Sequence, residues 1–177
     1  RNIFNPALTA RAFLFFAYPA KMSGDRVWIA VSDSASAAIS AVSGATPLAV
    51  TALLPSFETL ESMLQSVGFT LTKLFVGNYP GSVGGTSALC CLIGALVLII
   101  TGVASYRIIL GGIVGLLISS CLLGILSTEP LNPWACINPL YHLFAGGFAF
   151  GIVYMATDPV SAPGTNISKW CYGFLIG

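Results

Sequence analysis

Thr46 is the residue best placed to carry something covalently. It closes the run Ser43-Gly44-Ala45-Thr46-Pro47, small residues that end in a hydroxyl. Two readings of that hydroxyl stand side by side. As the last loop residue before a helix it is an N-cap, accepting from the first free backbone N–H groups. As an attachment point it would hold a phosphate diester beside those same N–H groups, at the positive end of a helix begun by Pro47. Gly44 and Ala45 leave room for a bulky substituent.

Asp158 comes next, in Thr157-Asp158-Pro159-Val160-Ser161, directly after a long apolar segment. An acid at membrane depth is expensive and marks function; the alternative is a carboxylate at a helix end or in a turn made with Pro159. Asn5, before Pro6, reads as a turn residue or as a polar ligand reaching into a cavity. Arg11 lies inside an apolar helix, so it must snorkel to the surface or find an internal partner. His142 reads as an interfacial structural residue, and Glu58 and Glu61 as a solvated face. Cys90, Cys91, Cys121, Cys136 and Cys171 contain no C-x-x-C pair. Their spacing argues against a zinc or iron–sulfur site built from this chain alone and fits small buried apolar residues.

The elements that position these residues are set by composition. The chain has 177 residues, 56% hydrophobic and only 7% charged, against about 25% charged in soluble domains. With a mean hydropathy of +0.89, it reads as an all-α integral membrane protein. A net charge of +1 gives no basic footprint for nucleic acid. The chain begins at Arg1 and stops inside an apolar run, as the interior of a longer protein would.

Along the chain, Ala7 to Ala20 reads as a helix too short to span, tilted or facing a protein-lined cavity. Ser34 to Ser43 reads as a loop or weak helix, and Pro47 to Leu54 as a helix stopped by Pro55. Phe57 to Val76 alternates apolar and polar residues and reads as amphipathic or re-entrant. Spans are predicted over Ser87–Val103, Ile108–Leu126 and Leu140–Ala156, with a fourth beginning near Trp170. Gly111-x-x-x-Gly115 and Gly147-x-x-x-Gly151 read as small-residue packing faces. One transmembrane domain is expected: 1–46 with a short helix and the attachment loop, 47–86 amphipathic, and 87–177 spanning. Arg107 and Lys169 favour the cytoplasmic side by the positive-inside rule, which puts Asn5 inside and the Ser43–Thr46 loop outside.

The longest motifs are Asn5-Pro6-Ala7-Leu8-Thr9-Ala10-Arg11-Ala12-Phe13-Leu14-Phe15-Phe16-Ala17-Tyr18-Pro19-Ala20, Ser43-Gly44-Ala45-Thr46, Pro80-Gly81-Ser82-Val83-Gly84, Gly146-Gly147-Phe148-Ala149-Phe150-Gly151 and Met155-Ala156-Thr157-Asp158-Pro159-Val160-Ser161-Ala162. Together they resemble the NqrB/RnfD membrane-subunit family, whose NqrB members belong to Na+-pumping NADH:ubiquinone reductases. The resemblance implies a bundle like that of urea transporters, with inverted repeats, in the bacterial inner membrane. It implies FMN joined by a phosphoester to Thr46 through a flavin transferase, and non-covalent riboflavin near Asn5 and Asp158. It also implies electron passage to ubiquinone coupled to Na+ export, among the other subunits of the reductase. The chain departs from the family pattern at Ser40, where an acid is usual, at Ala41, usually glycine, and at Gly85, often glutamate. An RnfD-type subunit of a ferredoxin:NAD oxidoreductase is the near alternative. A flavin-free channel or transporter of similar fold is the distant one.

Overall fold

The computed structural model describes residues 4–24, 27, 29–30, 41–42, 46–47, 64–65, 68–126 and 138–177. The expected helix 47–54 lies outside the described residues except for Pro47, as does most of 57–70. So do Ser43, Gly44, Ala45, Ser40, Glu58, Glu61 and Cys136.

Helix α1 spans Pro6–Ala17. Asn5 starts it, its side-chain oxygen accepting from the Ala7 and Leu8 N–H groups, and Pro6 fills the first turn, where a missing N–H does no harm. Pro19 then ends α1 and begins the short α2, Pro19–Met22. Twelve residues make a helix about 18 Å long, well short of the roughly 30 Å hydrocarbon core. Phe13, Phe15 and Phe16 point outward and are more than half exposed.

A two-residue antiparallel ladder pairs β1, Ile29–Ala30, with β2, Ala41–Val42. It falls partly in the tract expected to be loop or weak helix. Elsewhere the described residues are helical: α3 Leu71–Val76, α4 Ala88–Ile100, α5 Tyr106–Leu126, α6 Pro139–Phe144, α7 Phe148–Phe150, a π turn Gly151–Met155 and α8 Asn166–Ile176. Ser87 caps α4 by accepting from Cys90 N–H at 3.3 Å.

Among the described residues one helix is long and apolar enough to cross a membrane, Tyr106–Ile125, with a mean hydropathy of 2.5. The expected span 87–103 forms a 13-residue helix, about 20 Å long. The expected span 140–156 is not one helix but three pieces. The break falls at Ala145-Gly146-Gly147, where two glycines weaken the helix. In an apolar setting, broken helix is tolerated where side chains take up the released carbonyls. Three do so here. Tyr79 Oη donates to Phe144 O at 3.2 Å, Thr157 Oγ1 to Val153 O at 2.5 Å, and Asn5 Nδ2 to Met155 O at 2.6 Å.

The most extensive helix pairing is α5 with α8. Gly111, Gly112 and Gly115 face Gly173, Phe174 and Gly177 across it. A methyl group on Gly111 would stand 3.0 Å from Trp170 O, and one on Gly173 would overlap Ile108 O and stand 3.1 Å from Gly112 N. Glycine is therefore what lets these backbones touch, and the Gly111–Gly115 packing face is observed. Gly147–Gly151 is not such a face: a methyl on Gly151 would meet nothing within 4 Å, and one on Gly147 only Arg11 Nη2 at 3.7 Å. Residues 147–151 keep helical register, Gly151 N–H donating to Gly147 O at 2.9 Å, but no backbone lies within 4 Å of where a methyl on either glycine would stand.

Two apolar cores result. One gathers Leu64, Phe69, Leu74, Tyr79, Tyr141 and Ala145; the other joins Ala95, Ile108, Ile109, Ile152, Val153, Ala156 and Ala162. The second wedges the π turn between α4 and α5, which fixes where the Asp158 loop emerges.

Candidate functional site

Two polar corners stand out. At the start of α1, Asn5 Nδ2 donates to Ser161 Oγ at 3.0 Å, and Ser161 Oγ donates to Asp158 Oδ2 at 2.7 Å. Asp158 Oδ2 also accepts from Ser161 N at 3.1 Å, and Oδ1 from Val160 N at 3.4 Å. Asp158-Pro159-Val160-Ser161 is thus an Asx-type turn, in which a short carboxylate satisfies the backbone two and three residues on. The Ser161 hydroxyl holds the Asp158 carboxyl below its usual range; desolvation, the next largest influence, opposes it, and the Ser161 and Val160 N–H groups add to the lowering. A carboxylate depressed in this way contributes its stability above the ordinary carboxylate pKa and loses it only as pH falls through the lower, folded value. Asp158 is therefore ionised at every physiological pH.

At the second corner, Thr46 rests on a shelf of glycines. A methyl on Gly24 would stand 2.7 Å from Gly81 C and 2.8 Å from Thr46 Cγ2; one on Gly81 would stand 2.9 Å from Thr86 Cα. Thr46, Pro47, Tyr79, Gly81, Ser82, Gly85, Ala145 and Gly146 enclose a cavity of about 50 Å³. Gly85, where a glutamate was the family expectation, has a physical reason: a side chain there would press on Gly147 Cα at 3.2 Å. Tyr79 ties the shelf to the helix break, its hydroxyl reaching Gly85 O at 3.1 Å and Phe144 O at 3.2 Å. Burial, reinforced by Cys91, pushes the Tyr79 phenol up to about 12, so it remains a donor across the physiological range.

Tyr141, in the same core, is buried as deeply, yet its hydroxyl finds no hydrogen-bond partner. The two tyrosines should answer oppositely to loss of the hydroxyl. Tyr79→Phe is expected to lower stability by about 1 kcal/mol, whereas Tyr141→Phe should be neutral or stabilising by a similar amount. Thermal unfolding of the two variants in detergent checks this.

Between the corners, the Arg11 guanidinium lies over the Phe150 ring, 5.5 Å from its centroid. Arg11 has thus found an internal partner beside the helix break. Asn5 and Asp158 are brought together through Ser161; the cavity that Thr46 lines includes neither of them. His142 sits in the last turn of α6. The expectation of buried cysteines holds for Cys91 alone, since Cys90, Cys121 and Cys171 are exposed. No group of three His, Cys, Asp or Glu gathers among the described residues.

Two residues escaped the sequence reading. Ser161 is the bridge of the first corner, signalled by an Asp-Pro-x-Ser turn. Tyr79 is the strut of the second, signalled only by a lone phenol in a glycine-rich loop.

The whole chain, residues 1–177, matches the model of the NQR2, RnfD, RnfE family. The chain belongs to that family. The B subunit of the Na(+)-translocating NADH-quinone reductase of Ectopseudomonas mendocina is 47% identical over all 177 residues, which cover 40% of that relative. The corresponding B subunit of Azotobacter vinelandii is 45% identical with 40% of its length covered, and that of Haemophilus influenzae 45% with 41%. The chain thus spans about two fifths of the length of the curated relatives it matches. As a member of the NQR2, RnfD, RnfE family it is a membrane-subunit segment, and the long apolar α5 accords with that.

Proposed function

We propose that the chain is the flavin-bearing part of a B subunit in a bacterial Na+-translocating NADH:ubiquinone reductase. Thr46 would hold FMN through a phosphoester, and the Asn5–Asp158 corner a non-covalent riboflavin. The flavins supply electron carriage toward ubiquinone; the chain supplies attachment, spacing and electrostatics. The observation that carries this reading is the glycine-built shelf that presents Thr46 beside a small cavity.

That cavity also limits what fits. Pockets that enclose drug-sized ligands run about 300–1,000 Å³, so roughly 50 Å³ accepts the phosphoester end and not the isoalloxazine ring, which must lie outside it. The residues present fit FMN attached and extended, not FMN enclosed. At the other corner, Asp158 is ionised and partly exposed, which suits an acceptor for flavin O–H or N–H groups.

The broken helix at 145–147 supports a transporter-like inverted-repeat bundle, where interrupted helices face one another near the midplane. The surrounding protein would comprise the other reductase subunits in the bacterial inner membrane, with a flavin transferase acting during maturation. Complex reconstituted in proteoliposomes tests the assignment. NADH with ubiquinone should drive Na+ uptake. Turnover only with ferredoxin and NAD would point to the RnfD-type subunit, and colourless protein passing a solute down its gradient would point to a channel.

A further inference from the structure

We propose that Ser161 is the positioning residue of the riboflavin corner, and that Asn5 acts on the flavin only through it. The proposal rests on the riboflavin assignment above. Its basis is a count of hydrogen-bonding capacity. A carboxamide oxygen has two acceptor positions and its nitrogen two donors. Asn5 uses all four. Oδ1 accepts from Ala7 N at 2.9 Å and Leu8 N at 3.2 Å, while Nδ2 donates to Met155 O at 2.6 Å and Ser161 Oγ at 3.0 Å. Turning the amide over would set donors against the α1 N–H groups and an acceptor against Met155 O, so the network fixes its orientation. Asn5 keeps no hydrogen bond to offer a flavin.

Asp158 does. Its Oδ2 takes two bonds from Ser161, but Oδ1 takes only the long one from Val160 N–H. Oδ1 is the acceptor left for a ligand, and Ser161 decides where it points. Through its hydroxyl, which accepts from Asn5 and donates to Asp158, the start of α1 and the end of the π turn are referred to one carboxylate. Losing the hydroxyl leaves the carboxylate held only by the Ser161 and Val160 N–H groups, loosening its orientation, and leaves Asn5 Nδ2 without its acceptor.

The test uses the purified, assembled complex carrying Ser161→Ala, Ser161→Thr, Ser161→Val or Asp158→Asn. Thr and Val share a shape, so that pair separates the hydroxyl from its bulk. Acid-extractable riboflavin is measured against covalent FMN in the same sample, which reports assembly, and the riboflavin midpoint potential is followed by redox titration. Ser161→Ala and Ser161→Val are expected to lower riboflavin retention about tenfold, the scale of losing a hydrogen bond to a charged group. They should shift the potential of the remaining flavin in the same direction as Asp158→Asn. Ser161→Thr should stay within about twofold of wild type on the same scale. Ser161→Val behaving like Ser161→Thr would overturn the proposal. So would reduced retention with an unmoved potential, which marks a merely structural role. Wild-type complex that holds covalent FMN but no extractable riboflavin would overturn the riboflavin assignment itself, and the proposal with it.

Discussion

Replacing Thr46 with alanine is expected to remove covalent flavin from the chain entirely and to lower NADH:ubiquinone turnover of the assembled complex by about two orders of magnitude, the scale of losing an obligatory group. The reason is chemical: a phosphoester needs the side-chain oxygen, and alanine has none. Thr46→Ser separates chemistry from packing. It keeps the oxygen but loses the methyl that abuts Gly24, where a Gly24 methyl would lie 2.8 Å from Thr46 Cγ2. Serine should therefore still accept flavin, with reduced occupancy. In-gel fluorescence of the denatured subunit reads attachment, and quinone-dependent NADH oxidation reads turnover. Fluorescence that survives in Thr46→Ala would place the attachment elsewhere.

Gly173→Ala should be among the most damaging of the single-methyl additions in the described helices, together with Gly115→Ala, whose methyl would overlap the Phe174 carbonyl oxygen. The Gly173→Ala methyl would overlap the Ile108 carbonyl oxygen and sit 3.1 Å from Gly112 N. Both obstacles are backbone, so no side-chain rotation relieves them and α8 must lift off α5. Overpacking of this kind costs about 1–3 kcal/mol, and the rigid obstacles put Gly173→Ala near the top. Its thermal unfolding midpoint should fall by about 5–10 °C. Gly151→Ala is the matched control. Nothing lies within 4 Å of its would-be methyl, so its midpoint should hold or rise with the better helix propensity. Equal losses in both variants would mean that the α5–α8 contact is not what the glycines serve.

Much of the fold was legible, and the failures have physical causes. The first short helix stops before Pro19, short of the expected Ala20, and Asn5, expected as a turn residue or ligand, caps it. Its presence and the long apolar α5 nonetheless follow from local rules that a sequence displays directly. The helix over 140–156 did not, because hydropathy reports apolarity and not continuity. What breaks it is a pair of glycines, with Tyr79 taking the Phe144 carbonyl, and Tyr79 lies far away in sequence. Gly147-x-x-x-Gly151 failed for another reason: the spacing gives two glycines a shared face, but does not say whether a second backbone lies against it, and none does. The cysteines were read as buried because cysteine usually is, but an outward helix face in an apolar medium carries no penalty for it.

The candidate site was legible unevenly. Asn5 and Asp158, 153 positions apart by their numbering, were both nominated as polar residues flanking apolar segments, and the fold joins them. The joining atom, Ser161 Oγ, was invisible because a serine in a turn has many ordinary uses. Thr46 was nominated from a small-residue loop, whereas its shelf is built from Gly24, Gly81 and Gly85, which only the tertiary structure brings together. Arg11 showed the expected need for an internal partner, and that partner proved to be the Phe150 ring.

Peptide mass spectrometry of the native protein, produced together with its flavin transferase, tests the central claim most directly. A Thr46 peptide carrying one FMN as a phosphoester, in near-stoichiometric yield, is the predicted result. An unmodified Thr46 peptide, from cells in which the transferase demonstrably flavinylates another substrate, would contradict the claim that this chain carries a covalent flavin.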